Sequence, residues 1–112
     1  MQAVLNPTEP CYYSTLADDP DLGEIVEMFV DEMPGRIRDL QTQFRINDWD
    51  QLARLSHQLK GAAGSYGFDQ ITPYAARCEK AVRNELPHAE IQTAFDELVK
   101  ACQRVRCGLA KC

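Results

Sequence analysis

The sequence predicts an all-α fold, an antiparallel four-helix bundle with an N-terminal arm or short helix. Four stretches repeat apolar residues at steps of three and four, which is typical of amphipathic helices. No stretch shows strand-like alternation flanked by hairpin turns, so we expect no sheet. Short connections favour antiparallel neighbours. We assign residues 1–18 to the arm and residues 19–112 to the bundle.

Capping residues mark the first two helices. Asp19 is the predicted N-cap of the first helix, and Pro34 inside this helix predicts a kink. Asp48 is the predicted N-cap of the second helix, which runs to about Gly67. The apolar stripe of the first helix consists of Leu22, Ile25, Val26, Phe29, Met33, Ile37, Leu40 and Phe44.

Prolines help to place the last two helices. The third helix is predicted from about Asp69 to about Glu85, with Pro73 in its first turn, where proline is tolerated. The fourth helix begins near Pro87. Its apolar seam consists of Ile91, Phe95, Leu98, Cys102, Val105 and Leu109.

The composition excludes several classes of protein. A chain of 112 residues with 45% apolar and 26% charged residues is expected to fold as one globular domain. Its net charge of −5 argues against binding to nucleic acid or to anionic membranes. The sequence has no apolar run long enough for a bilayer span and no export signal at its start. We therefore expect a cytoplasmic protein. We also expect a monomer, because the four helices can cover each other's apolar stripes.

The five cysteines do not predict a site. Their number is odd, and they include no Cys-x-x-Cys pair and no histidine at zinc-finger spacing. Cys78 and Cys102 fall on apolar stripes, and we expect them to be small buried side chains. A metal site and a disulfide framework are both disfavoured.

The second helix presents a histidine to solvent. At 100° per residue, His57 lies opposite the apolar half of this helix. Lys60, Gly61, Gly64 and Gly67 lie on the same side as His57. The apolar half consists of Leu52, Leu55, Leu59, Ala62, Ala63 and Tyr66.

The three glycines need an explanation, because each glycine inside a helix costs about 1 kcal/mol relative to alanine. For Gly67, a C-cap role is an equally good explanation. For Gly61 and Gly64, we favour a cleared surface that lets the backbone of a partner approach His57. An exposed imidazole beside an ammonium group suits phosphoryl chemistry, with His57 as nucleophile and Lys60 as countercharge.

These residues resemble a known family. His57-Gln58-Leu59-Lys60-Gly61, followed after five residues by Gly67, is similar to the His-x-Leu-Lys-Gly-x5-Gly signature of histidine-containing phosphotransfer (HPt) domains. The resemblance covers nearly the whole chain, because the segment 29–44 and the entry to the histidine helix at 47–49 are also similar to that family.

The resemblance implies a phosphocarrier rather than an enzyme. His57 would take a phosphoryl group from a receiver aspartyl phosphate or a kinase, including a hybrid sensor histidine kinase, and pass it to a receiver aspartate. We assign Glu79 to the orienting partner of His57 and Arg83 to a second phosphate-facing cation. An exposed ion pair between Glu79 and Arg83 is the alternative. No bound cofactor is expected, and Mg²⁺ would come with the partner receiver.

Other interpretations remain open at this point. A helical docking adaptor would bind a kinase or receiver without being phosphorylated, whereas a metal-binding bundle lacks the inward Glu-x-x-His pairs. On the first helix, Ile25, Met28 and Phe29 are candidates for an apolar docking patch, as the corresponding region is in HPt relatives. His88 lacks the surroundings of His57, and we expect it to be a surface residue.

Overall fold

A computed structural model describes residues 10–107 of the chain. The predicted fold class is confirmed, because the four helices form an all-α bundle. In the described part of the chain, no helix has the length and apolar character that crossing a membrane requires. In chain order the elements are β1 (Tyr12–Tyr13), α1 (Gly23–Arg45), α2 (Trp49–Ser65), α3 (Thr72–Arg83), α4 (His88–Cys102) and β2 (Val105–Arg106).

The first helix, α1, begins later than predicted. The carboxylate of Asp19 accepts hydrogen bonds from the backbone N–H groups of Asp21 (2.8 Å) and Leu22 (3.2 Å), so it closes a turn ahead of the helix. Leu22 occupies the N-cap position, and no side chain caps α1. Pro34 lies inside α1, and the helix continues past it without being split. The fully buried residues of α1 are Val26, Phe29, Met33 and Leu40.

The start and the end of α2 are both set by hydrogen bonds at its caps. As predicted, the Asp48 side chain accepts the N–H of Gln51 (3.1 Å). At the other end, Phe68 N–H donates to the carbonyl of Ala63 (2.8 Å), and Gly67 N–H donates to that of Gly64 (3.3 Å). This is a Schellman motif, and Gly67 provides its left-handed residue with φ of 83°. The predicted end at Gly67 is therefore the C-terminal cap, and the helix itself stops at Ser65.

The third and fourth helices are shorter than predicted. Residues 68–71 form a turn, with Ile71 N–H donating to Phe68 O (3.0 Å), so α3 starts at Thr72. The helix α4 ends at Cys102, and Val105 continues the apolar seam as part of β2. Leu109 lies outside the described residues. The helix α3 packs against both α2 and α4, and α1 packs mainly against α2.

The N-terminal segment ties two parts of the bundle together. Its strand β1 pairs in parallel with β2, with Tyr12 N–H donating to Arg104 O (2.7 Å). Beyond the strand, Ser14 Oγ donates to Tyr66 O (2.6 Å), and Thr15 N–H donates to Gly67 O (3.0 Å). The expectation of no sheet is wrong for this pairing. Strands of two residues are too short to show an alternating pattern, so the sequence carried no signal for them.

We expect two glycine substitutions in the same region to have opposite effects on stability. At Gly67, a Cβ would collide with Ser14 Oγ and lie 3.0 Å from Thr15 N, in a backbone conformation that L-residues disfavour. Gly67→Ala should therefore lower the free energy of unfolding by about 2 kcal/mol or more. At Gly61, a Cβ meets nothing within 4 Å, so Gly61→Ala should raise it by up to about 1 kcal/mol.

Urea unfolding of the two variants beside the wild-type chain measures both effects. Equal destabilisation by the two substitutions would contradict the assignment of Gly67 to the cap and Gly61 to the open helix surface.

Candidate functional site

His57 lies near the middle of α2 and points away from the core. Its side chain is 61% exposed, whereas Leu52, Leu59 and Ala63 on the opposite side of the helix are buried. The Nδ1 atom of His57 lies 3.1 Å and 3.2 Å from the two carboxylate oxygens of Glu79 on α3. The Nε2 atom forms no hydrogen bond with any residue between 10 and 107. The Nε2 edge of the ring thus faces solvent.

Glu79 is the centre of the site. Only 12% of its side chain is exposed, and it accepts hydrogen bonds from three side chains. Lys60 Nζ donates to Oε1 (3.1 Å), and Arg83 Nε donates to Oε2 (2.8 Å), in addition to the contact with His57. The carboxylate therefore joins the three other residues that the sequence singled out for charge or nucleophilicity.

The packing of α2 against α3 positions Glu79. Ser56, the residue before His57, is fully buried, and its hydroxyl donates to Leu52 O (2.9 Å). Ala53 and Cys78 are also buried. Sequence reasoning overlooked Ser56. The signal was the row of small residues at positions 53 and 56, which predicts a close helix contact.

The charge state of Glu79 follows from its neighbours. Burial alone would raise the pKa of this carboxyl group, but the hydrogen bonds from Arg83, Lys60 and His57 outweigh it and lower the pKa from 4.5 to about 2. The carboxylate is therefore ionised near neutral pH. An ionised carboxylate only accepts hydrogen bonds, so Nδ1 of His57 donates to it, and in the neutral ring the lone pair is on Nε2.

The exposed glycines lie next to His57, but one of the three predicted positions lies elsewhere. Gly61 and Gly64 are exposed, and a Cβ on Gly64 would meet only Thr72 Oγ1, at 3.9 Å. Gly67 is buried beneath Ser14 and Thr15, so it cannot meet a partner. Its assignment to the approach surface is corrected to the helix cap.

The candidate docking patch on α1 contains two residues rather than three. Ile25 and Met28 are 39% and 56% exposed. Phe29 is 2% exposed and stacks against Tyr66 and Phe68, with ring centroids 5.1 Å and 5.4 Å apart. Because Phe29 is a core residue, its place in the patch is wrong.

The remaining candidates for chemistry form no second site in the described chain. His88 is exposed, as expected, and its ring packs against Phe44 and Trp49 with centroids 5.6 Å and 5.9 Å away. Cys78 and Cys102 are buried and unbridged, and burial raises the pKa of the Cys102 thiol to about 12. Within residues 10–107, no three side chains among His, Cys, Asp and Glu are grouped as metal ligands.

The fold and the site define a helical bundle that exposes a histidine and holds its ring against a largely buried carboxylate. A family model described as "Hpt domain" matches residues 24–107, which is three quarters of the chain, and the chain belongs to the Hpt family. Proteins of this family act in histidine phosphotransfer and interact with receiver domains in phosphorelays. Comparison with curated proteins and with solved structures found no match.

The lowered pKa of Glu79 predicts a pH-dependent stability. The ionised carboxylate stabilises the folded state fully above about pH 4.5, and this contribution is lost as the pH falls towards about 2. Glu79→Gln should lower the free energy of unfolding at pH 6 by on the order of 1–3 kcal/mol. The difference between wild type and variant should shrink below pH 4.5.

Urea unfolding of both proteins between pH 6 and pH 2.5 measures this difference, and other carboxylates cancel in the comparison. A difference that stays constant over the whole range would show that Glu79 is not the titrating group.

Proposed function

We propose that this chain is a phosphocarrier of a two-component phosphorelay, and that His57 carries the phosphoryl group on Nε2. The observation that supports the proposal most strongly is the contact of Nδ1 with Glu79. This contact leaves Nε2 exposed, and in the neutral ring it places the lone pair on Nε2. A carboxylate that accepts the Nδ1 proton also makes the other ring nitrogen a better nucleophile.

The proposed reaction moves one phosphoryl group in two steps. In the first, the Nε2 lone pair of His57 attacks the phosphorus of a receiver aspartyl phosphate or a phosphorylated kinase. A bond forms between Nε2 and phosphorus, and the donor's bond to phosphorus breaks with its electron pair returning to the donor. In the second step, an aspartate oxygen of a receiver attacks the same phosphorus, and the electron pair of the N–P bond returns to Nε2. Nδ1 keeps its proton throughout, held by Glu79.

Lys60 and Arg83 are the proposed countercharges of the transferred group. Phosphoryl transfer depends mainly on positioning and on neutralisation of the equatorial oxygens. Both cations are held on Glu79, one on each carboxylate oxygen, so their positions are fixed before the donor arrives. We expect no cofactor on this chain, and we assign the magnesium ion of such reactions to the acidic pocket of the partner receiver.

The surface around His57 supports the approach of a protein partner. Gly61 and Gly64 follow His57 on the exposed side of α2, and neither position carries a side chain that would hold a partner's backbone away. On α1, Ile25 and Met28 provide exposed apolar area for docking. We propose a receiver domain as the partner and a monomeric chain as the working form.

Phosphoryl uptake tests the proposal. Wild-type chain and the variant His57→Gln are incubated with a phosphorylated receiver and, separately, with phosphoramidate, and are then examined by intact mass and phosphate-affinity gel. The wild-type chain should gain one phosphoryl group that is labile in acid and stable in alkali. The variant should gain none, because its amide has no nucleophilic lone pair.

His88→Gln is the matched control and should take up phosphoryl as the wild-type chain does. If wild type and His57→Gln are both folded and both remain unmodified, the phosphocarrier proposal fails. Binding of a receiver that survives in His57→Gln would then support the docking adaptor.

The approach surface makes a separate prediction. Gly61→Leu places a larger side chain on the open face of α2, beside His57. Uptake from phosphoramidate should change less than twofold, because a small donor reaches Nε2 without touching position 61. Transfer from a phosphorylated receiver should fall at least tenfold, since a loss of about 1.4 kcal/mol in docking is tenfold in rate. Equal effects on both donors would contradict a docking role.

A further inference from the structure

The charges around His57 do not balance once it carries a phosphoryl group. Lys60 and Arg83 each donate to Glu79, so the three charged side chains together carry one net positive charge. A phosphoryl group brings between one and two negative charges to Nε2 near neutral pH. Either cation would have to share its hydrogen bonds between Glu79 and the phosphoryl oxygens. A further cation without a carboxylate partner would relieve this competition.

Arg54 is a cation that lies close to His57 on the surface of α2. It lies three residues before His57 on α2, about 60° around the helix and on the side opposite to Lys60. Residues three apart on a helix are neighbours on its surface, with Cβ atoms about 5–6 Å apart. The side chain of Arg54 is exposed, and none of the ion pairs within residues 10–107 includes it.

The direction of helical side chains favours contact between the two. Side chains lean towards the N-terminus of their helix, so the imidazole of His57 covers the turn that contains Ala53 and Arg54. Ala53 is small and buried, and that turn also borders a surface cavity of about 590 Å³ whose wall includes Ala53 and Arg83. The wall of this cavity also includes Asp50 and Glu85 but neither His57 nor Arg54, so the proximity of Arg54 to His57 follows from their spacing on the helix.

We propose that Arg54 binds the oxygens of the phosphoryl group on His57, as the cation of the site that is not shared with Glu79. This inference rests on the proposed phosphocarrier function. The planar guanidinium group offers paired N–H donors, which suit two phosphoryl oxygens at once. Asp50, four residues before Arg54, is the nearest acidic residue along the helix. Within residues 10–107, Asp50 forms no ion pair with Arg54.

Four proteins test the proposal: the wild-type chain, Arg54→Gln, Arg54→Lys and the control Lys100→Ala. The control removes one exposed positive charge from α4, away from His57. Each chain is phosphorylated with phosphoramidate, and the rate of uptake is measured by intact mass. The phosphorylated chains are then titrated by ³¹P NMR, which follows the pKa of the phosphoryl group itself. Circular dichroism checks that each variant is folded.

We expect Arg54→Gln to take up phosphoryl about three- to tenfold more slowly than the wild-type chain. The pKa of its phosphoryl group should lie higher, because a nearby positive charge that favours the dianion is gone. Arg54→Lys should retain most of the wild-type behaviour, and Lys100→Ala all of it. Added salt should narrow the difference, since the contact is exposed.

The phosphocarrier proposal and the assignment of Arg54 are overturned by different outcomes. If the wild-type chain takes up no phosphoryl group, the phosphocarrier proposal fails before Arg54 is considered. If the wild-type chain is phosphorylated and Arg54→Gln matches it in the ³¹P titration, the assignment of Arg54 is overturned, whatever the rate of uptake.

Discussion

The carboxylate of Glu79 is the group on which the site depends. It is mostly removed from solvent, and a buried charge is stable only when it is paired and hydrogen-bonded. Its donors come from two helices, with His57 and Lys60 on α2 and Arg83 on α3. These contacts require α2 and α3 to lie close together, with Glu79 at the same level along the bundle as His57 and Lys60. The small buried residue Ser56 meets that requirement on α2. The contact between α2 and α3 therefore determines both the packing of the core and the position of Glu79 beside the imidazole.

The exposed glycines that follow His57 lower the stability of α2. Gly61 has open space around it, so a larger residue would fit the fold and favour the helix. Gly67, one turn beyond Gly64, is required by the fold itself, because its left-handed backbone ends α2. Glycines at equal spacing along one motif thus have different physical causes. Gly61 lies on an open helix surface, and Gly67 forms the cap.

Much of the fold and part of the candidate site could be predicted from the sequence. Helical periodicity is a property of many residues at once, so four helices and the outward direction of His57 were evident. The ends of helices depend on a few hydrogen bonds, and Asp19 shows that a good capping residue can close a turn ahead of the helix instead. Periodicity also cannot tell the core from its rim, so Phe29 was grouped with the exposed Met28. The sharing of Glu79 by Lys60 and Arg83 depends on tertiary distances that no linear pattern contains.

The pairing of β1 with β2 has a consequence for the order of folding. The helical hairpins α2–α3 and α3–α4 join segments that are close along the chain, and such contacts form early because little loop entropy is lost. The strands Tyr12–Tyr13 and Val105–Arg106 lie at opposite ends of the described chain, so we expect them to pair after the helices between them have assembled. The same N-terminal segment covers the cap at Gly67. The histidine helix is therefore sealed at its C-terminal end by the last part of the molecule to assemble.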